Sequence, residues 1–95
     1  MDKLILLVGE GCVNCETMRQ VLYNVSNELN IDYEIQDVTQ EIINKYDVNG
    51  VPTILLIHNN ELVDKVKGFQ PQEVLQLWVS YKVEECRKID YNING

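Results

Sequence analysis

Two cysteines separated by two residues, Cys12 and Cys15, have the types and spacing best suited to chemistry in this chain. They follow an apolar run at residues 4–8 and precede a helical pattern, which puts Cys12 at the start of a helix. The unpaired backbone N–H groups and the dipole of a helix N-terminus favour a thiolate over a thiol, and the thiolate is the nucleophile. Cys15 lies one helical turn further on, close enough to close a small disulfide ring. The pattern favours dithiol–disulfide exchange.

The same two thiols could instead form half of a zinc or iron–sulfur site. Zinc needs four ligands, and the remaining candidates, Cys86 and His58, show no paired spacing. We therefore expect no metal, and no cofactor other than a redox-active pair of cysteines. We expect Cys86 to be an inert or surface thiol, and His58 to be an exposed histidine at the end of a strand rather than a catalytic base.

The composition indicates one small domain. The 95 residues are 45% hydrophobic and carry a net charge of −7, from 8 Lys+Arg against 15 Asp+Glu. This charge argues against nucleic acid or an anionic membrane as a partner. The apolar runs are too short for a membrane span or the core of a signal peptide, and three cysteines do not suggest a structural disulfide framework. We expect a monomeric, cytoplasmic protein.

Hydrophobic periodicity predicts the element order βαβαββα, an α/β fold with a central four-stranded mixed sheet flanked by helices. The predicted strands cover residues 3–8, 31–35, 53–57 and 61–66, and the predicted helices begin near Cys12, after Thr39 and at Pro71. Thr39 can cap the second helix and Asn49-Gly50 breaks it, while Asn59 and Asn60 suit a tight hairpin turn. Because the first two crossovers contain helices, we expect the first three strands to be parallel, with an antiparallel hairpin at one edge.

Helical spacing also predicts which side chains face the core. On the first helix these are Met18, Val21, Leu22, Val25 and Leu29, and on the last helix they are Val74, Leu75, Trp78 and Tyr81. After Arg87 the chain is polar, and we expect a loose tail. The predicted division is a domain at residues 1–86 and a tail at residues 87–95.

This order of elements, with CxxC opening the first helix, resembles the thioredoxin superfamily in its short, glutaredoxin-like form, over about residues 3–82. The segment at residues 46–53, Tyr-Asp-Val-Asn-Gly-Val-Pro-Thr, looks like the thioredoxin segment that leads into a cis-proline. The segment at residues 68–71, Gly-Phe-Gln-Pro, and the Cys-Val-Asn-Cys motif look more like the glutaredoxin-like hydrogen donors of ribonucleotide reductase. The chain combines the features of two subfamilies.

The resemblance implies roles for individual residues. Cys12 would be the attacking thiol and Cys15 the resolving one. Pro52 would be cis and pack against the disulfide, while Val51 would offer its backbone to an extended substrate segment. The substrate groove would be bordered by residues from three loops: Gly11, Val13, Asn14, Val51, Pro52, Gly68 and Phe69.

Two departures from the thioredoxin pattern concern charge. Thioredoxins carry a buried acid six residues before the first cysteine and a lysine on the next strand, and these places hold Leu6 and Tyr33 here. The usual proton acceptor for the resolving cysteine is therefore missing, and either solvent or a nearby group such as Glu10 must serve. Glu10 and Glu16 both oppose a thiolate at Cys12. We therefore expect the helix terminus to stabilise that thiolate, but less than in redoxins that carry a lysine in place of Glu16.

We therefore expect a dithiol–disulfide oxidoreductase that reduces protein disulfides and is reset by an external reductase. A flavoprotein thioredoxin reductase fits better than glutathione, because residues 68–71 lack the Asp of glutathione sites and the rim is acidic. The alternatives are an electron donor to ribonucleotide reductase, a true glutaredoxin, or a non-enzymatic binding module whose cysteines stay reduced or hold metal.

Overall fold

Four strands and three helices follow one another in the order that the sequence predicts, βαβαββα. The computed structural model describes the backbone of residues 1–94 and the side chains of residues 1–91. The elements are β1 (Asp2–Val8), α1 (Val13–Leu29), β2 (Asp32–Asp37), α2 (Gln40–Tyr46), β3 (Thr53–His58), β4 (Glu61–Lys67) and α3 (Gln72–Asn94).

Short polar side chains and left-handed residues set the element boundaries. The Thr39 side chain accepts a hydrogen bond from the Ile42 amide over 3.2 Å, which caps α2 as predicted. Asp47, with a φ of 54°, ends the same helix before the expected break at Asn49. Asn59 and Asn60 have φ values of 52° and 69°, so the predicted tight turn joins β3 to β4.

The sheet has the strand order β2-β1-β3-β4. β1 and β2 are parallel as expected, but β3 runs antiparallel to β1, so the expectation of three parallel strands was wrong. The reason is the length of α2. Its seven residues span about 10 Å at the rise of an α-helix, too short to return the chain along the whole sheet. β3 therefore starts at the end where β2 stops, and the antiparallel β3–β4 hairpin completes the sheet.

Helices cover both faces of the sheet. One face packs against α1 and α3 around a buried cluster that includes Leu4, Leu6, Met18, Leu22, Val25, Ile54, Leu56 and Leu75. The other face packs against α2 through Ile5, Leu7, Val48, Leu55 and Ile57. β1 and β3 are buried on both faces because both layers cover them. The expected inward face of α1 is confirmed, with Leu29 partly buried.

α3 presents a different face to the core from the one predicted. Leu75 is buried and Trp78 packs against the cluster, but Val74 and Tyr81 are 50% and 63% exposed. The core positions continue through Val79, Val83 and Cys86. Because α3 carries apolar residues on two stripes, its period alone could not decide which stripe the sheet would cover.

The expected loose tail is also corrected, because α3 continues without a break to Asn94. The Asp90 carboxylate lies 2.8 Å from Nε2 of His58 and fastens this part of the helix to the end of β3. No helix among the described residues is long and apolar enough to cross a membrane.

Candidate active site

Cys12 and Cys15 form a disulfide at the start of α1. Their sulfurs are 2.10 Å apart and their Cα atoms 5.4 Å apart. Cys12 is the residue before the first helical turn, and its carbonyl accepts a hydrogen bond from the Cys15 amide over 3.4 Å. Cys15 is 4% exposed and belongs to the buried cluster, whereas Cys12 is only partly buried. The two thiols of the pair thus differ in access, and Cys12 is the one an external disulfide can reach.

The Val51–Pro52 loop lies at the same end of the sheet as the disulfide. The Val51–Pro52 peptide bond is cis, as the resemblance implied. Val51 and Cys12 both pack against the cluster that contains Cys15. The Gly68 amide donates a 2.8 Å hydrogen bond to the Pro52 carbonyl, and the φ of 89° at Gly68 is a value that favours glycine.

The remaining residues of the predicted groove lie at the start of α1 and on the loop that follows β4. Gly11 and Asn14 are exposed, Val13 is 85% exposed and Phe69 is 46% exposed. Phe69 lies on a loop that contacts α1: the amide of the next residue, Gln70, lies 3.3 Å from the Met18 sulfur. The loop that carries Gly68 and Phe69 therefore contacts both the Pro52 loop and α1, and Val13 and Phe69 are exposed apolar side chains of the predicted groove.

Gly9 is a residue of this site that the sequence analysis missed. A Cβ at Gly9 would lie 3.2 Å from Cγ2 of Val51, so the absence of a side chain lets the loop before the disulfide lie against the Val51–Pro52 loop. A glycine directly after a buried strand is the sequence signal for such a close approach.

A shallow depression lies beside the disulfide and is charged. Its polar lining is Glu10, Glu16, Arg19 and Asp37, and both cysteines contribute to it. Glu16 is 82% exposed and pairs with Arg19, whose Nε lies 3.4 Å from its carboxylate. Asp37 was also missed, although it continues the alternation of Tyr33 and Ile35 along the same strand.

The absence of a buried acid next to the disulfide is consistent with the sequence. Leu6 is fully buried, and its partner on β2 is Ile35, while Tyr33 pairs with Leu4. Among the described side chains the buried polar residues are Ser26 and Thr53, and neither is an acid. No buried carboxylate therefore lies beneath Cys15 in the part of the chain that the structure describes.

The other metal-ligand candidates lie at the opposite end of the sheet. His58 pairs with Asp2 at the start of β1, whereas the disulfide follows the end of β1. The described residues contain no group of three or more His, Cys, Asp or Glu side chains arranged to hold a metal ion. Burial raises the pKa of the Cys86 thiol, assisted by the charges of Asp2 and Asp90, which keeps Cys86 in its unreactive form.

His58 is not the exposed histidine that the sequence suggested. Its side chain is 15% exposed and lies between two carboxylates, with Nδ1 2.5 Å from Asp2 and Nε2 2.8 Å from Asp90. The hydrogen bond to Asp2 and then that to Asp90 raise the pKa of His58 above 6.5, although burial opposes them. This histidine is a structural link between β1, β3 and α3, at the opposite end of the sheet from Cys12 and Cys15.

Comparison with known proteins gives matches to one family. The family model of the thioredoxin domain matches residues 1–78. The chain is 33% identical to a thioredoxin of Bacillus subtilis in an alignment 69 positions long. The alignment covers 68% of this chain and 66% of that protein, just under two thirds of its length. It is 37% identical to the SPbeta prophage-derived thioredoxin-like protein YosR of Bacillus subtilis, in an alignment 78 positions long that covers 79% of this chain and 92% of that protein.

A solved structure shows the same fold. A mutant thioredoxin from Halobacterium salinarum superposes with a TM-score of 0.78 at 24% identity, covering 85% of this chain and 74% of that one. The family match over residues 1–78, the four-stranded mixed sheet and the Cys12–Cys15 disulfide together show that this chain belongs to the thioredoxin family.

Proposed function

We propose that the protein reduces disulfide bonds in other proteins and is itself reset by an external reductase. The observation that carries the proposal is the disulfide at the start of α1, in which Cys12 is partly exposed to solvent. The Val51–Pro52 loop, with its cis peptide bond, lies at the same end of the sheet. A half-buried sulfur beside an extended backbone segment suits a protein substrate, which can pair its own backbone with Val51.

The cycle begins with Cys12. Its thiolate attacks a substrate disulfide and forms a mixed disulfide, and Cys15 then attacks the Cys12 sulfur. The reduced substrate leaves and the Cys12–Cys15 disulfide remains. The helix N-terminus supports the Cys12 thiolate, and the burial of Cys15 keeps it from attacking outside disulfides.

The groove that we propose for the substrate consists of the predicted residues and Gly9. Val13 and Phe69 supply exposed apolar contacts, and the Gly68 hydrogen bond to Pro52 holds two of its loops together. These surfaces would bind an extended apolar stretch of a partner next to its disulfide.

A flavoprotein thioredoxin reductase is the proposed source of electrons. Three carboxylates, Glu10, Glu16 and Asp37, line the depression beside the disulfide against one arginine, a surface that repels the carboxylates of glutathione. Ribonucleotide reductase remains a proposed recipient because of the Gly68-Phe69 segment, and a cytoplasmic location remains an expectation.

The recycling of the oxidised protein tests the proposal. Oxidised protein is offered NADPH with thioredoxin reductase, and in parallel glutathione with its own reductase and NADPH, in each case with a protein disulfide such as insulin. We expect NADPH consumption with the first system alone. Consumption with glutathione alone would make the protein a glutaredoxin, and consumption with neither would leave it a binding module.

A further inference from the structure

We propose that the Asp37 carboxylate accepts the proton of the Cys15 thiol when Cys15 attacks the mixed disulfide at Cys12. The inference deepens the proposed function and rests on it, because it concerns the second step of that cycle. It addresses a requirement that the interior of the protein leaves open: Cys15 is 4% exposed, and no described side chain beneath it is an acid.

The strand register places the Asp37 side chain on the correct face. Asp37 is the partner of Val8 across the parallel β1–β2 pair. Residues in register on neighbouring strands point to the same face of a sheet, and Val8 belongs to the buried cluster of Cys15. The same row of β2 contains Tyr33, whose ring contacts that of Tyr23 on α1 at a centroid distance of 6.4 Å. Asp37 thus extends the row that faces α1.

The depression beside the disulfide connects Asp37 with Cys15. Both residues line it, and Asp37 is exposed, so a proton taken from Cys15 can pass on to solvent. The charged or titratable groups around the depression are Cys12, Glu10 in the turn, Glu16 and Arg19 on α1, and Asp37 on β2.

The two other carboxylates are less well placed. Glu16 follows Cys15 directly in the helix, and adjacent helical residues do not face each other; it also pairs with Arg19. Glu10 lies in the exposed turn that precedes Cys12 and is not held by a strand. Asp37 is the carboxylate that a regular element places on the α1 side of the sheet.

The proposed step balances as follows. The Cys15 sulfur bonds to the Cys12 sulfur while the bond between Cys12 and the substrate sulfur breaks, and the substrate leaves as a thiolate with that electron pair. The Cys15 proton moves to Asp37, directly or through one water, and then to the departing thiolate or to solvent. The cysteine pair is oxidised by two electrons and the substrate is reduced by two.

An aromatic disulfide that releases a coloured thiolate, dithiobis-nitrobenzoate, separates the two steps. In rapid mixing with reduced protein, the first equivalent of colour reports the attack by Cys12 and the second reports the attack by Cys15. We expect Asp37→Asn to slow the second phase about a hundredfold near pH 6–7, the lower end of the range for a lost general base, with little change in the first. The difference between the two rates should shrink as pH rises, because hydroxide increasingly removes the Cys15 proton in place of Asp37.

Matched variants keep the test decisive. Asp37→Glu should restore most of the second phase, and Glu10→Gln and Glu16→Gln should change it less than about twofold. The proposal is overturned if Glu10→Gln slows the second phase instead, or if Asp37→Asn slows it equally at every pH, which would indicate a structural role. If the wild-type protein releases no colour at all, the proposed function fails and this inference fails with it.

Discussion

The Lys65 ammonium group on β4 donates a 2.9 Å hydrogen bond to the Tyr46 carbonyl at the end of α2. It donates another to the Asp47 carbonyl, and Lys67 donates a 3.2 Å bond to the Asn49 carbonyl. Two lysines of one strand therefore satisfy three carbonyls of the segment that leads into Pro52. Since α2 ends in this segment, the lysines also face the negative end of its dipole.

These bonds should position the Val51–Pro52 loop. We expect Lys65→Met to lower the free energy of unfolding by about 1–2 kcal/mol, as for the loss of a charged hydrogen bond, and to speed hydrogen exchange at the Val51 amide. KM for a protein disulfide should rise while kcat changes little, because Cys12 is untouched. Lys88→Met is the control, since Lys88 is 65% exposed and lies 3.9 Å from Glu85 on α3. Equal KM values for the two variants would contradict the assignment.

The two cysteines of the disulfide should have separate phenotypes. Cys12→Ser should abolish the reduction of protein disulfides, since it removes the accessible nucleophile. Cys15→Ser should instead accumulate substrates bound to Cys12, seen by mass spectrometry without reductant. Cys86→Ala removes the third thiol, which is buried at the far end, and should keep the wild-type rate. Full activity in Cys12→Ser would refute the assignment of the nucleophile.

The negative charge of Glu16 should restrain the reactivity of Cys12. Glu16→Lys reverses a charge in the first turn of α1. Coulomb energies between charges at short range in water are near 1 kcal/mol, so the change should increase the thiolate fraction of reduced Cys12. We expect neutral iodoacetamide to alkylate Cys12 several-fold faster at pH 7. The gain should shrink with added salt. Glu84→Lys is the control, because Glu84 pairs with Arg87 at the same spacing on α3. A Glu16→Lys rate no faster than the control would show that this carboxylate is too well solvated to matter.

Local features of the sequence were enough to predict much of this fold. The Thr39 cap, the Asn59-Asn60 turn and the core face of α1 each depend on residues close together in the chain. The cis bond before Pro52 was predicted from the resemblance rather than from local chemistry, because most X–Pro bonds are trans.

The features that could not be predicted depend on residues far apart in the chain. The direction of β3 follows from the space that α2 spans, and the buried stripe of α3 is selected by the sheet. His58 meets Asp2 and Asp90 from positions 56 and 32 residues away. Asp37 was within reach of sequence reasoning, because alternation from Tyr33 predicts its face, but its proximity to Cys15 requires the β1–β2 register.

The link at His58 should make stability depend on pH. Its pKa is raised above 6.5 in the folded protein, chiefly by the hydrogen bond to Asp2. The protonated form is therefore favoured by folding, so its contribution is complete below the unfolded pKa near 6.5 and is lost as pH rises through the folded value. We expect the free energy of unfolding of the wild type to be about 1 kcal/mol higher than that of His58→Gln at pH 6. This difference should shrink by pH 9. Denaturant unfolding at each pH measures it; a constant difference would mean that the charge is not involved.

The continuation of α3 beyond Cys86 allows a test of the proposed division at residue 86. Among the described side chains of residues 87–91, one forms an ion pair outside α3, from Asp90 to His58, and Tyr91 and Ile89 are 76% and 57% exposed. A chain ending at Cys86 should therefore unfold cooperatively and keep its dithiol activity. Its free energy of unfolding should be about 1 kcal/mol lower than that of the full chain at pH 6. Full-length Asp90→Asn is the matched control and should reproduce most of that loss. If the shortened chain unfolds without cooperativity while Asp90→Asn does not, the last turns of α3 are part of the domain, because the stability of the fold then depends on more of the helix than one carboxylate.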